Sequence, residues 1–143
     1  MLFKDPSSLP GTINTANPIS VAGLNNIPYL FYRGSGSDTQ VYYVANNNGN
    51  WDNSPKPVPN LKTQLGVTAV NYKGTIYVLV VEDGSAFIGY ATFDGSSFSS
   101  VQQLPKTVNG SGTPFAYATS DGITVVYQGV DTTNLFTSVG SAN

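Results

Sequence analysis

The residues of this chain with the most chemical reach lie between Asp38 and Asp52: Asp38, Tyr42, Asn46, Asn47 and Trp51. A flat aromatic ring packs against the C–H face of a saccharide, and carboxylates and amides hold its hydroxyls. Tyrosine adds a hydrogen-bonding tip with little rotamer entropy to lose. A second segment carries a thinner set in Asp83, Tyr90, Phe93 and Asp94, and a third carries Asp131, Asn134 and Phe136. The same residues also suit structural duties. Trp51 aligns with Phe98 and Phe3 as a repeated core aromatic would, and Asn46-Asn-Asn-Gly49 reads as a tight turn. Tyr43 alternates with Val41, and Tyr90 with Ile88, which assigns both tyrosines to an inner strand face and Tyr42 to the outer one.

Other chemistries are poorly supplied. The chain has neither cysteine nor histidine, so no disulfide, thiolate nucleophile or histidine base is available, and the usual ligands of zinc, copper and haem are missing. The eight acidic residues are spread over turns, and Asp83, Asp94 and Asp121 each precede a glycine. A glycosidase would need two facing carboxylates, and no phosphate-binding loop or nucleophile-elbow motif occurs. The expectation is a protein without enzymatic activity and without a cofactor or metal. A net charge of −2 gives no footprint for nucleic acid. No apolar stretch is long enough to span a membrane, and Met1–Pro10 has no signal-peptide core. These features predict a cytoplasmic or non-classically secreted protein.

The elements that must position these residues are short strands. Only 10% of the residues are charged; Asn, Ser, Thr and Gly carry the polarity and favour tight turns over helices. No segment holds an apolar period of 3.6 residues over a helical length. A shift of about 47 residues superposes Ala22 on Ala69 and Ala116, Val41 on Ile88 and Leu135, and Trp51 on Phe98. Each repeat then has a first strand with the alanine and a hairpin: Pro28–Arg33 with Gln40–Ala45, Thr75–Val80 with Phe87–Thr92, and Gly122–Tyr127 with Asn134–Val139. A fourth strand starts at the aromatic. Trp51 to Pro59 and Phe98 to Pro105 both run from an aromatic to a proline, and Phe3 to Pro10 has the same form. The sequence thus predicts a single all-β domain over residues 1–143, with repeats 11–59, 60–105 and 106–143 and residues 1–10 completing the third. Three four-stranded repeats predict a β-trefoil. The alternative is a set of β-propeller blades completed by oligomerisation.

The Pro28-Tyr-Leu-Phe-Tyr-Arg-Gly34 and Val41-Tyr-Tyr-Val44 strands and the Gly49-Asn-Trp51 turn resemble those of mushroom fruiting-body lectins. Size, three repeats and lack of cysteine are similar to the lectin-like β-trefoils of mushrooms, a family with mannose-binding members and a tyrosinase light subunit. The same strands resemble blades of propeller-forming fungal lectins. These resemblances imply binding of glycans or small saccharides, mannose among them. For a trefoil that has lost sugar binding, they imply docking to a protein partner. The Q-x-W repeat of ricin-type trefoils is missing, so the resemblance transfers no binding residue.

Overall fold

A computed structural model describes residues 1–105 and 108–141. Lys106, Thr107, Ala142 and Asn143, which the repeat assignment included, lie outside the described residues. Among the described residues twelve strands occur in chain order: β1 Ser20–Leu24, β2 Ile27–Arg33, β3 Gln40–Asn47, β4 Asn50–Trp51, β5 Lys56–Lys62, β6 Thr68–Tyr72, β7 Thr75–Val81, β8 Ile88–Phe93, β9 Gln102–Gln103, β10 Gly110–Ala118, β11 Gly122–Gly129 and β12 Leu135–Ser141. No helix occurs among the described residues, so the all-β expectation holds. It follows that no helix is long and apolar enough to cross a membrane.

The strands form three open antiparallel sheets, one per repeat. The first is ordered β1-β2-β3 with β4 and β5 both on β3, the second β6-β7-β8-β9, and the third β10-β11-β12. Sequential order follows from the turns. Asn25–Asn26 (φ 52° and 63°), Asn48–Gly49 (53° and 90°) and Lys73–Gly74 (50° and 81°) are two-residue links with both φ positive, whose twist matches antiparallel strands. Among the described strands no ladder joins one sheet to another, and across the repeat bounds only Lys62 at the end of β5 pairs with Gln40 and the isolated Phe87–Asn109 bridge forms, so the inter-repeat barrel of a trefoil has no support in the pairing.

The sheets stack face to face, with the second in the middle. Its strand β7 is apolar on both faces because both are covered: Ile76, Val78 and Val80 turn to the first sheet, Leu79 and Val81 to the third. The first strands lie together and are stitched by hydroxyls. Ala69 N–H donates to Ser20 Oγ at 2.9 Å, and Ala116 N–H donates to Thr68 Oγ1 at 3.3 Å. These bonds make Ser20 the counterpart of Thr68, and Val21 that of Ala69. The Ala22-on-Ala69 superposition is therefore one residue out of step, and a slip of one residue reverses the face. Ala22 and Ala69 indeed enter the same core from opposite sheets.

The Trp51-on-Phe98 superposition survives the test of register. Trp51 stands opposite Asn46 in its ladder, and Phe98 opposite Phe93. Residues 1–10 carry no strand in this chain, and Phe3 is 90% exposed. Among the described residues the third sheet has three strands.

Candidate functional site

The outer face of the first sheet carries a groove of about 280 Å³ at the β2–β3 hairpin. Tyr32 and Tyr42 form its floor because they stand directly opposite each other in the ladder. Their rings stack at 5.9 Å and 29°. Tyr32 is buried, while Tyr42 is half-buried. Thr12, Asn14, Ser35 and Asp38 supply the polar rim.

Asp38 sits in the turn that closes the hairpin, where its N–H donates to Ser35 O at 3.2 Å. Its Oδ1 accepts from Gln40 N–H at 3.0 Å, and its Oδ2 accepts from the Tyr42 hydroxyl at 2.8 Å. The bond to Asp38 raises the Tyr42 pKa above the ordinary phenol value, since ionisation would place a second negative charge on that contact. Burial, and then the neighbouring Tyr42 and Asp38, push Tyr32 up to about 12. Both phenols thus keep their protons at neutral pH. Gly34 permits this arrangement: a Cβ there would strike the Asp38 side chain, whose Cβ would lie 2.8 Å away.

Of the five residues singled out in the sequence, Asp38 and Tyr42 line this groove. Trp51 packs against the cluster of Leu30, Tyr32 and Val44 on the same outer face and does not line the groove. Asn46 and Asn47 lie at the opposite end of β3 and serve the β3–β4 turn. Asn46 Oδ1 accepts from Gly49 N–H at 2.8 Å, and Asn47 Nδ2 donates to Asp52 Oδ1 at 3.2 Å. Tyr32, Thr12, Asn14 and Ser35 were not anticipated. Tyr32 was legible in principle, since β2 alternates faces and Tyr32 opposes Tyr42. Thr12 and Asn14 come from a segment without periodicity, held across the sheet by Ile13 and by a bond from Thr12 Oγ1 to Asn53 O at 2.7 Å.

The counterparts in the other repeats differ. Asp94 receives the N–H groups of Ser96 and Ser97, each at 2.8 Å, and these bonds lower its pKa; it is a turn former. Asp83 accepts from Gln64 Nε2 at 2.8 Å. Phe136 stacks on Tyr127 at 5.8 Å. Tyr90 lines a larger cavity of about 310 Å³ between the second and third sheets, with Tyr72, Tyr77, Leu79, Ile123 and Gly140. Its lining is mainly apolar, and among the described residues no carboxylate lines it. Among the described residues no group of three or more acidic side chains could hold a metal ion.

No family model matches this chain, and no curated protein matches it either.

Proposed function

We propose that this chain is a non-enzymatic, lectin-like protein that binds saccharides in the Asp38–Tyr42 groove. The observation that carries the reading is the Tyr42–Asp38 hydrogen bond laid over a tyrosine stack at an open, polar-rimmed groove. A pyranose ring placed there meets the half-buried Tyr42 ring, a carboxylate with unused lone pairs, and the hydroxyl and amide of Thr12 and Asn14. The groove is shallow, so affinity for one sugar unit is expected at roughly micromolar to millimolar. Mannose is the first sugar to try, because of the resemblance to mushroom lectins. A glycan array with free-sugar competition tests the reading: competed hits support it, and a blank array together with no heat on titration with mannose and fucose refutes it.

Within the all-β class, the sequential sheets stacked on their first strands favour propeller blades over a trefoil. The docking alternative draws on a different observation. Phe115, Tyr117, Leu135 and Val139 are each more than half exposed on one face of the third sheet.

A further inference from the structure

The two ends of the stack are unlike each other, and each lacks what the other offers. Register fixes the equivalent positions in the three sheets. Val41 and Ile88 face the sheet that follows theirs and are both 0% exposed, whereas Leu135, their counterpart on β12, is 71% exposed. Tyr117 stands where Val70 stands on β6 and is 54% exposed. Among the described residues no sheet covers these side chains. At the other end Val21, the counterpart of the buried Ala69, is 53% exposed beside Ile19 at 52%. The outer edge of β12, Leu-Phe-Thr-Ser-Val-Gly-Ser, has neither charge nor proline to guard it.

Residues 1–10 fit that edge. In the second sheet Phe98 opposes Phe93 and stacks on it at 4.4 Å, while Gln102 opposes Tyr90. Gly140 holds the place of Phe93, and among the described residues none takes the place of Phe98 beside it. That gap opens into the cavity between the second and third sheets. Phe3 is the residue that aligns with Phe98, which packs toward the sheet before its own, and Leu9 aligns with Leu104, which packs toward the sheet after its own.

The path of the chain decides whose edge it is. Leu61 lies between the first and second sheets, and the strand it belongs to, β5, pairs with the sheet behind it. Ile13 is its counterpart and lies on the outer face of the first sheet. The strand leading into Ile13 therefore belongs to a sheet stacked on that outer face. The chain's own third sheet lies on the other side, beyond the second. We infer that two copies of this chain associate head to tail. Each lays its outer first-sheet face on the partner's third sheet and donates residues 3–10 as the fourth strand of that sheet. Two such contacts close a ring of six sheets, within the range of about four to eight blades that close around an axis.

The groove at the Asp38 end of the β2–β3 hairpin lies on the same outer face, at its rim, so the test is made on the full chain without sugar and reads association alone. Sedimentation equilibrium is expected to give twice the 15.1 kDa of one chain. A monomer, or a series of growing oligomers, overturns the inference. Ser7→Cys and Thr137→Cys are then combined in this cysteine-free chain, since they take the places of Gln102 and Tyr90. Oxidation is expected to give a covalent dimer on a non-reducing gel, and an intrachain disulfide in a monomer overturns strand donation. Val139→Glu adds a charge at a site 68% exposed in the single chain, so folding is expected to survive while the dimer dissociates. A Val139→Glu chain that stays fully dimeric overturns the proposed face.

Discussion

The Tyr42 hydroxyl reaches Asp38 Oδ2 at 2.8 Å across the mouth of the β2–β3 hairpin, and this bond joins a strand to a turn. Each partner is tied elsewhere: Tyr42 to the Tyr32 ring, Asp38 to the N–H of Gln40. The pair is thus oriented before any ligand arrives, which limits the entropy a sugar must overcome on binding.

Replacement of Asp38 by Ala is therefore expected to weaken mannose or fucose binding about tenfold or more, as loss of a charge-assisted hydrogen bond of about 1.5–3 kcal/mol implies. Tyr42→Phe keeps the ring and removes the donor, so a smaller loss is expected. Isothermal titration measures both. Asp38 is exposed, and its removal is expected to shift stability by less than about 1 kcal/mol. Unchanged sugar affinity in both variants, with the fold intact, moves the site elsewhere.

Gly34→Ala tests the same groove without removing a functional group. The added methyl would occupy the space of the Asp38 side chain, 2.8 Å from its Cβ, so the carboxylate must swing away from Tyr42. The expected result is sugar affinity as low as in Asp38→Ala. An accompanying stability loss of about 1–3 kcal/mol is expected from overpacking. Full affinity in Gly34→Ala would mean that the carboxylate does not need its observed position.

Tyrosine burial sets a limit on the alkaline side. Tyr32 is pushed up to about 12, and Tyr29, Tyr43 and Tyr90 are also raised, each first by burial. A group whose folded pKa exceeds its unfolded value of 10.0 binds its proton more tightly when folded. Its contribution is complete below pH 10 and is lost as pH climbs toward about 12. Melting temperature is therefore expected to be insensitive to these groups up to about pH 10 and to fall steeply above it. Tyr32→Phe is expected to flatten part of that fall. An unaltered slope in that variant would remove Tyr32 from the account.

Strands were legible because short runs of β-branched and aromatic residues lie between turn formers, and β3 alternates its faces besides. Pro28–Arg33, Thr75–Val80 and Gly122–Tyr127 all fall within observed strands. The face of Tyr42 followed from the same alternation. The phase between repeats did not. Ala22 and Ala69 look alike in sequence, yet Ser20 Oγ meets Ala69 N–H, and the offset is one residue longer than the alanines suggest. Small residues recur on both faces of a first strand, so they carry no phase information. Asn46 and Asn47 misled for a related reason: an asparagine in a turn and one at a ligand have the same local sequence. The rim residues Thr12 and Asn14 were hidden because long-range packing through Ile13 places them, and nothing local does. Sheet order is also non-local: four strands per repeat fit a trefoil and a blade equally until pairing is known.

Phe93 and Gly140 offer a last test, because they hold the same place in successive sheets with opposite packing. Phe93 is 2% exposed and meets Phe98 at 4.4 Å, Tyr29 at 5.1 Å and Tyr43 at 5.4 Å. Phe93→Ala empties the middle of that cluster, and chemical denaturation is expected to show a loss of about 3–5 kcal/mol. At Gly140 the nearest atom to an added Cβ is Ile123 O at 4.0 Å, and the cavity of about 310 Å³ lies in front of it. The backbone there is extended, so alanine meets no strain, and it removes freedom from the unfolded chain. Gly140→Ala is expected to stabilise by roughly 0.4–1 kcal/mol. A loss of stability in Gly140→Ala comparable to that of Phe93→Ala would show that the third sheet is packed as tightly there as the second, and the space for a donated Phe3 would be gone.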